Sequence, residues 1–84
     1  MRISIATKII NEMTSMTSGS FYLYCVVSDI KKEVYGLYSD NDEIETEEFI
    51  SICESYLSEY IKSGASDLRD QSIIRDIRLY LLFI

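Results

Sequence analysis

Apolar residues recur along this chain with two different periods, and the changes of period divide it into elements. Over residues 4–17, Ile5, Ile9, Ile10, Met13 and Met16 fall at helical spacing, with Lys8, Asn11 and Glu12 turned away. That spacing predicts a first helix. Ile3 and Ile5 also alternate with Arg2 and Ser4, so a short strand at the start is the alternative. Thr17–Ser20 reads as a break, with Gly19 free to take the left-handed conformation that ends a helix.

The period then shortens. Phe21–Ser28, FYLYCVVS, is aromatic or β-branched at nearly every position and reads as a strand. Phe21, Leu23, Cys25 and Val27 share one face; Tyr22, Tyr24 and Val26 share the other. Asp29–Lys32 is polar enough to turn, and Glu33–Tyr38 reads as a second strand, with Val34, Gly36 and Tyr38 opposite Tyr35 and Leu37. The spacing suits an antiparallel hairpin. An isolated hairpin is marginal in water, so these strands must lean on helices.

A second helix follows, with Asp42 as N-cap and Glu45 in the capping-box position. Its apolar stripe runs through Phe49, Ile52, Cys53, Tyr56, Leu57, Tyr60 and Ile61, leaves Glu54 and Glu59 off, and stops at Gly64. A third helix starts at Ser66 or Asp67; Ile73, Ile77 and Leu81 share one line and Ile74 and Leu81 another. Arg75, Asp76 and Arg78 mark its wet side, and Leu79–Ile84 loses polarity altogether. A segment apolar on every side must be covered on every side. It is central to the core, becomes an additional strand, or packs on a second copy through Leu79, Leu82, Phe83 and Ile84. The expected class is α+β, a small antiparallel sheet packed by helices in the order α-β-β-α-α, in one domain over residues 1–84.

Length supports one domain near the lower limit of what a single core stabilises unaided. The chain is 48% hydrophobic, with seven Tyr and three Phe, which is enough for a core and excludes a disordered chain. Cys25 and Cys53 are too few for a disulfide framework and fall on apolar faces, so both are expected as buried free thiols. The first ten residues lack the apolar stretch and cleavage site of a signal peptide. The longest unbroken apolar run, Leu79–Ile84, is far short of a membrane span. The expected location is the cytoplasm, with no membrane association.

Candidate chemistry is sparse. There is no His, which removes imidazole acid–base catalysis and imidazole metal ligation. Gly19, Gly36 and Gly64 are too far apart for a phosphate-cradling loop. Asp40-Asn41-Asp42-Glu43 opens like a calcium loop, but the fifth position is Ile44, the sixth is Glu45 where glycine is needed, and the twelfth is Ser51. No catalytic residue, metal site or cofactor is expected, and the chain is not expected to be an enzyme.

Charge changes the picture more. The net charge is −6, yet residues 1–38 and 61–84 each carry only +1. The excess sits in Ser39–Tyr60, which holds eight acids and no Lys or Arg. Clustered acids exclude direct binding to nucleic acid, which needs clustered bases. One reading is a solvated helix start using acids for capping and solubility. The other is a binding face, in which Asp40, Asp42, Glu43, Glu45, Glu47 and Glu48 imitate a nucleic-acid backbone and occupy a basic groove of a host protein. Tyr22, Tyr24 and Tyr35 leave a similar choice between packing under helices and forming a second contact patch.

A helix, a short sheet, the acidic segment Tyr38–Ser51 (YSDNDEIETEEFIS) and two further helices together resemble the small acidic phage-encoded anti-CRISPR proteins. The resemblance implies a stoichiometric inhibitor that sets those six acids against Arg and Lys of a nucleic-acid-handling protein. Two other classes fit the same features. One is a homo-oligomeric structural or regulatory subunit assembled through the apolar C-terminal segment. The other is an antitoxin or immunity protein facing a basic toxin.

Overall fold

Residues 21–38 carry two periods at once, and the helical one prevails. Leu23, Val27, Ile30 and Val34 stand at i, i+4, i+7 and i+11, a single stripe on a helix. In a computed structural model describing residues 1–84, all four are buried and the stretch is one continuous helix, Phe21–Leu37. The expected hairpin of Phe21–Ser28 and Glu33–Tyr38 does not form, and there is no sheet. The α+β class and the α-β-β-α-α order are therefore corrected to four helices: α1 Ile3–Met16, α2 Phe21–Leu37, α3 Thr46–Lys62 and α4 Leu68–Leu81. The sheet was one of the elements behind the anti-CRISPR resemblance, which now rests on Tyr38–Ser51 alone.

The physical reason for the correction is burial. A strand would have exposed one of its two apolar faces, whereas the helix gathers its largest aliphatics on one side. Ile30, inside the four residues expected to turn, is fully buried, while Asp29 and Lys32 point to water. Ser20 caps the helix by accepting from the Leu23 N–H at 3.3 Å. High β-propensity at Phe21, Tyr22, Tyr24 and Val26 yields to this tertiary context.

The first helix forms nearly where expected, but its buried line is Ile3, Ala6, Ile9, Ile10 and Met13, with Ile5 half exposed. The alternative of a strand at the start does not form: Ile3 and Ile5 lie in α1, and only one isolated antiparallel bridge joins Arg2 to Glu43. Gly19 follows the end of α1 at φ +86° and Gly64 follows α3 at φ +76°, both left-handed as expected. The start of α3 differs. Asp42 is not its cap: the Asp42 carboxylate accepts from the Ser39 N–H at 2.8 Å and closes a turn before the helix. Glu45 holds the cap position with no side-chain capping bond. Asp67 caps α4, accepting from the Asp70 N–H at 2.8 Å.

α1 packs on α2 and α4, and α3 packs on α2 and α4, closing a ring around one core. Each helix contributes one stripe, including Phe49, Ile52, Cys53 and Leu57 from α3 and Ile74, Ile77 and Leu81 from α4, and the α2–α3 loop adds Ile44. Cys53 is buried and Cys25 half-buried, both as free thiols. Burial pushes the Cys53 thiol up to about 12. No helix is long and apolar enough to cross a membrane.

Candidate functional site

The acidic segment becomes a rigid edge through its neighbours. Buried Ile44 anchors it: its N–H donates to Met1 O at 2.8 Å, and its carbonyl accepts from Met1 N at 2.7 Å. The Ile3 N–H donates to Asp42 O at 3.2 Å. This clamp fixes the backbone from which Asp40, Asp42, Glu43, Glu45, Glu47 and Glu48 project, and all six side chains are exposed. None is in an ion pair, although Arg2 lies beside Asp40, Asp42 and Glu43 in a shallow polar depression. Tyr38 reports the local field: the Glu48 carboxylate first, then partial burial and the charges of Asp42 and Glu45, raise its hydroxyl pKa.

The three tyrosines do not make one patch. All are exposed, but on a helix Tyr24 and Tyr35 lie within about 20° of each other, and Tyr22 is about 160° from Tyr24. Tyr35 sits against α1, hydrogen-bonded to the Thr7 hydroxyl at 2.7 Å, with the Lys31 ammonium 5.9 Å from its ring centre. Tyr22 instead packs edge-on against Phe21, ring centres 5.9 Å apart.

Two features were not anticipated. One is a polar junction at the α4 start. Asp70 is buried and accepts from Ser20 Oγ at 2.6 Å and from the Tyr60 hydroxyl. Arg69 beside it donates to Gly19 O at 3.1 Å. Three helix ends thus meet at one carboxylate. Burial acts to raise the Asp70 pKa, but the bonds from Ser20 and Tyr60, with the Asp67 backbone N–H and the Arg69 charge, outweigh it and the pKa is lowered. Burial first, and then the bond to Asp70, push Tyr60 up to about 12, which keeps it a donor at neutral pH. The available sequence signal was the Asp67-x-x-Asp70 spacing at a helix start, which resembles a capping box.

The other is an open groove of about 730 Å³ between α3 and α4. Its apolar lining comes from Ile50 and Ile61 on α3 and from Ile74, Leu79, Leu82 and Ile84 on α4 and beyond. Across its middle, Arg78 donates to Glu54 through Nε at 3.0 Å and through a second nitrogen, a bidentate pair left about half exposed. The Arg78 bond holds the Glu54 carboxyl below its usual range. α4 ends at Leu81, a turn follows, and Leu82 and Phe83 stand 79% and 89% exposed. The apolar end is thus no strand; Leu81 reaches the core, while Leu79, Leu82, Phe83 and Ile84 stay exposed. Glu54 lay off the apolar stripe and Arg78 was the wet side of another helix; their meeting depends on the pairing of α3 with α4, which periodicity within one segment does not give.

No group of three or more His, Cys, Asp or Glu side chains converges as a metal site. Every buried side-chain polar atom has a partner within the chain, so no orphaned group is aimed at a missing ligand. No family model, curated protein or solved structure matches this chain.

Proposed function

We propose that this chain is a non-enzymatic binding domain whose acidic edge occupies a basic, nucleic-acid-binding surface of another protein, acting as an inhibitor by mimicking nucleic-acid charge. The observation that carries this reading is that six exposed carboxylates, free of ion pairs, project from a backbone clamped by residues 1–3. Preorganised charge loses little entropy on binding and speeds encounter with an oppositely charged surface. A solvated helix start would not need the clamp. The phage-inhibitor class comes from the Tyr38–Ser51 resemblance and stands or falls with the partner's identity.

The test is a pull-down from host lysate with graded salt washes, repeated with duplex DNA as competitor. The expected result is one basic nucleic-acid-binding protein, released by salt and by DNA. Reversing Asp40, Glu43, Glu45 and Glu48 to Lys should abolish capture while circular dichroism stays as in the wild type and unfolding stays cooperative, the loss of Glu48 from the first turn of α3 lowering the midpoint only slightly. Asp42 is left in place because it closes the turn with Ser39. Capture that survives both salt and the reversals refutes the reading.

A further inference from the structure

We propose that the α3–α4 groove seats a second copy of this chain, the two copies related by a two-fold axis running along the groove. The first support is apolar exposure at one place. Leu79, Leu82 and Ile84 are all in contact with water and continue the apolar lining of Ile50 and Ile61, and Phe83 beside them is exposed. A contiguous exposed apolar patch on a small domain marks an interaction surface.

Charge then selects the occupant. The α3 wall carries Glu54, and the α4 wall carries Arg78 and Arg75, the latter beside Asp76 at 3.7 Å. A two-fold axis along the groove lays α4 of one copy over α3 of the other at the same level. Each Glu54–Arg78 pair then stacks on its copy in reverse, and the four side chains alternate in sign around a ring. An axis across the groove would set acidic wall on acidic wall and basic on basic, which is repulsive. The groove is therefore self-complementary in only one of the two face-to-face arrangements, as an isologous interface requires.

The area suits a weak dimer. Two adjacent helices of 14 and 17 residues present a face of about 20 by 25 Å, or about 500 Å² in projection. A standard interface covers about 800 Å² per partner, roughly one-seventh of the 5367 Å² surface of this chain. Four helices meeting face to face would cross at about 20°, the ordinary geometry of a bundle.

Sedimentation of the full chain at about 100 μM, above the micromolar Kd of a weak interface of this size, tests the proposal. The wild type should sediment at twice its 9.7 kDa. Leu82→Glu, at a side chain that supports no core contact, should halve that mass with unchanged circular dichroism. Arg78→Glu should also give monomer, and the swap Glu54→Arg with Arg78→Glu should restore the dimer. A wild type at 9.7 kDa overturns the proposal and leaves the groove to a different protein. So does a Leu82→Glu variant that stays dimeric, or an assembly that grows beyond two copies. A monomeric double swap overturns the alternating register.

Discussion

Replacing Asp70 by Ala should destabilise the fold by about 2–4 kcal/mol. Hydrogen bonds to a charged acceptor contribute about 1.5–3 kcal/mol each, and Asp70 accepts two from side chains, Ser20 and Tyr60. The Tyr60 hydroxyl is at the rim and can turn to water, so its share is the smaller. Ser20 is buried and would lose its acceptor, although it keeps the Leu23 N–H. A carboxylate in the first turn of α4 adds about 0.3–1 kcal/mol through the helix dipole. The cost of burying the charge offsets part of this. For a chain of this length, total stability is about 4–12 kcal/mol, so the loss is a large fraction. Urea unfolding followed by circular dichroism should show the midpoint lowered by about 1–3 M with little change in slope. Asp70→Asn, nearly the same shape without the charge, isolates the electrostatic part. A carboxyl held below its ordinary 3.8 in the fold contributes stability that is complete above that value and is lost as pH falls through the folded pKa. The gap between wild type and Asp70→Asn should thus be full at neutral pH and shrink below about pH 3.8. An Ala variant within about 0.5 kcal/mol of wild type, or a gap that does not change on acidification, would refute this account of the junction.

Two further predictions test the fold. Ile30→Ala should cost about 2–5 kcal/mol in the same urea assay, because the side chain is fully buried in α2; a change under about 0.5 kcal/mol, as for a surface turn, would restore the hairpin. Cys25 should react with a thiol reagent well before Cys53, whose thiol is buried and pushed up to about 12, and equal labelling rates in native buffer would contradict the packing of α3.

Much of the helical architecture was legible because periodicity and punctuation agreed. Gly19, Gly64 and Asp67 end or begin helices where local chemistry places them, and the α3 stripe is the buried or half-buried face. The error at residues 21–38 has a definite cause. In FYLYCVVS, apolar residues occupy so many positions that period 2 and period 3.6 both fit, and the decision passes to Ile30 and Val34, which extend the stripe only if the chain does not turn between them and Val27. The four-residue polar window Asp29–Lys32 hid Ile30 because Asp29, Lys31 and Lys32 surround it in sequence while lying on other faces of the helix. The acidic edge was legible as composition, but its rigidity was not, since the clamp joins residues 1–3 to 42–44. The Asp70 junction and the Glu54–Arg78 bridge were hidden for the same reason: each joins different helices, at separations of 50, 10 and 24 residues.

The two surfaces respond to solvent in opposite ways, which keeps them separable. Contacts of an exposed acidic edge weaken as salt rises, because the screening length falls from about 10 Å at 0.1 M to about 3 Å at 1 M. The apolar part of the groove contact is not weakened by salt and is strengthened by sulfate, so only the Glu54–Arg78 ring there is screened. Glu47 is the one acid that faces both, since it belongs to the edge and also lines the outer side of the α3 wall with Ile50 and Glu54. Reversing Glu47 would therefore confound the assays, and reversing Asp40, Glu43, Glu45 and Glu48 does not. If the copies pair along the groove, each dimer carries two acidic edges, and a partner with two basic sites would be held with an effective concentration set by their spacing. Leu82→Glu then has a second consequence: it should weaken capture of such a partner without touching an acidic residue, whereas a partner with one basic site should bind the variant as tightly as the wild type.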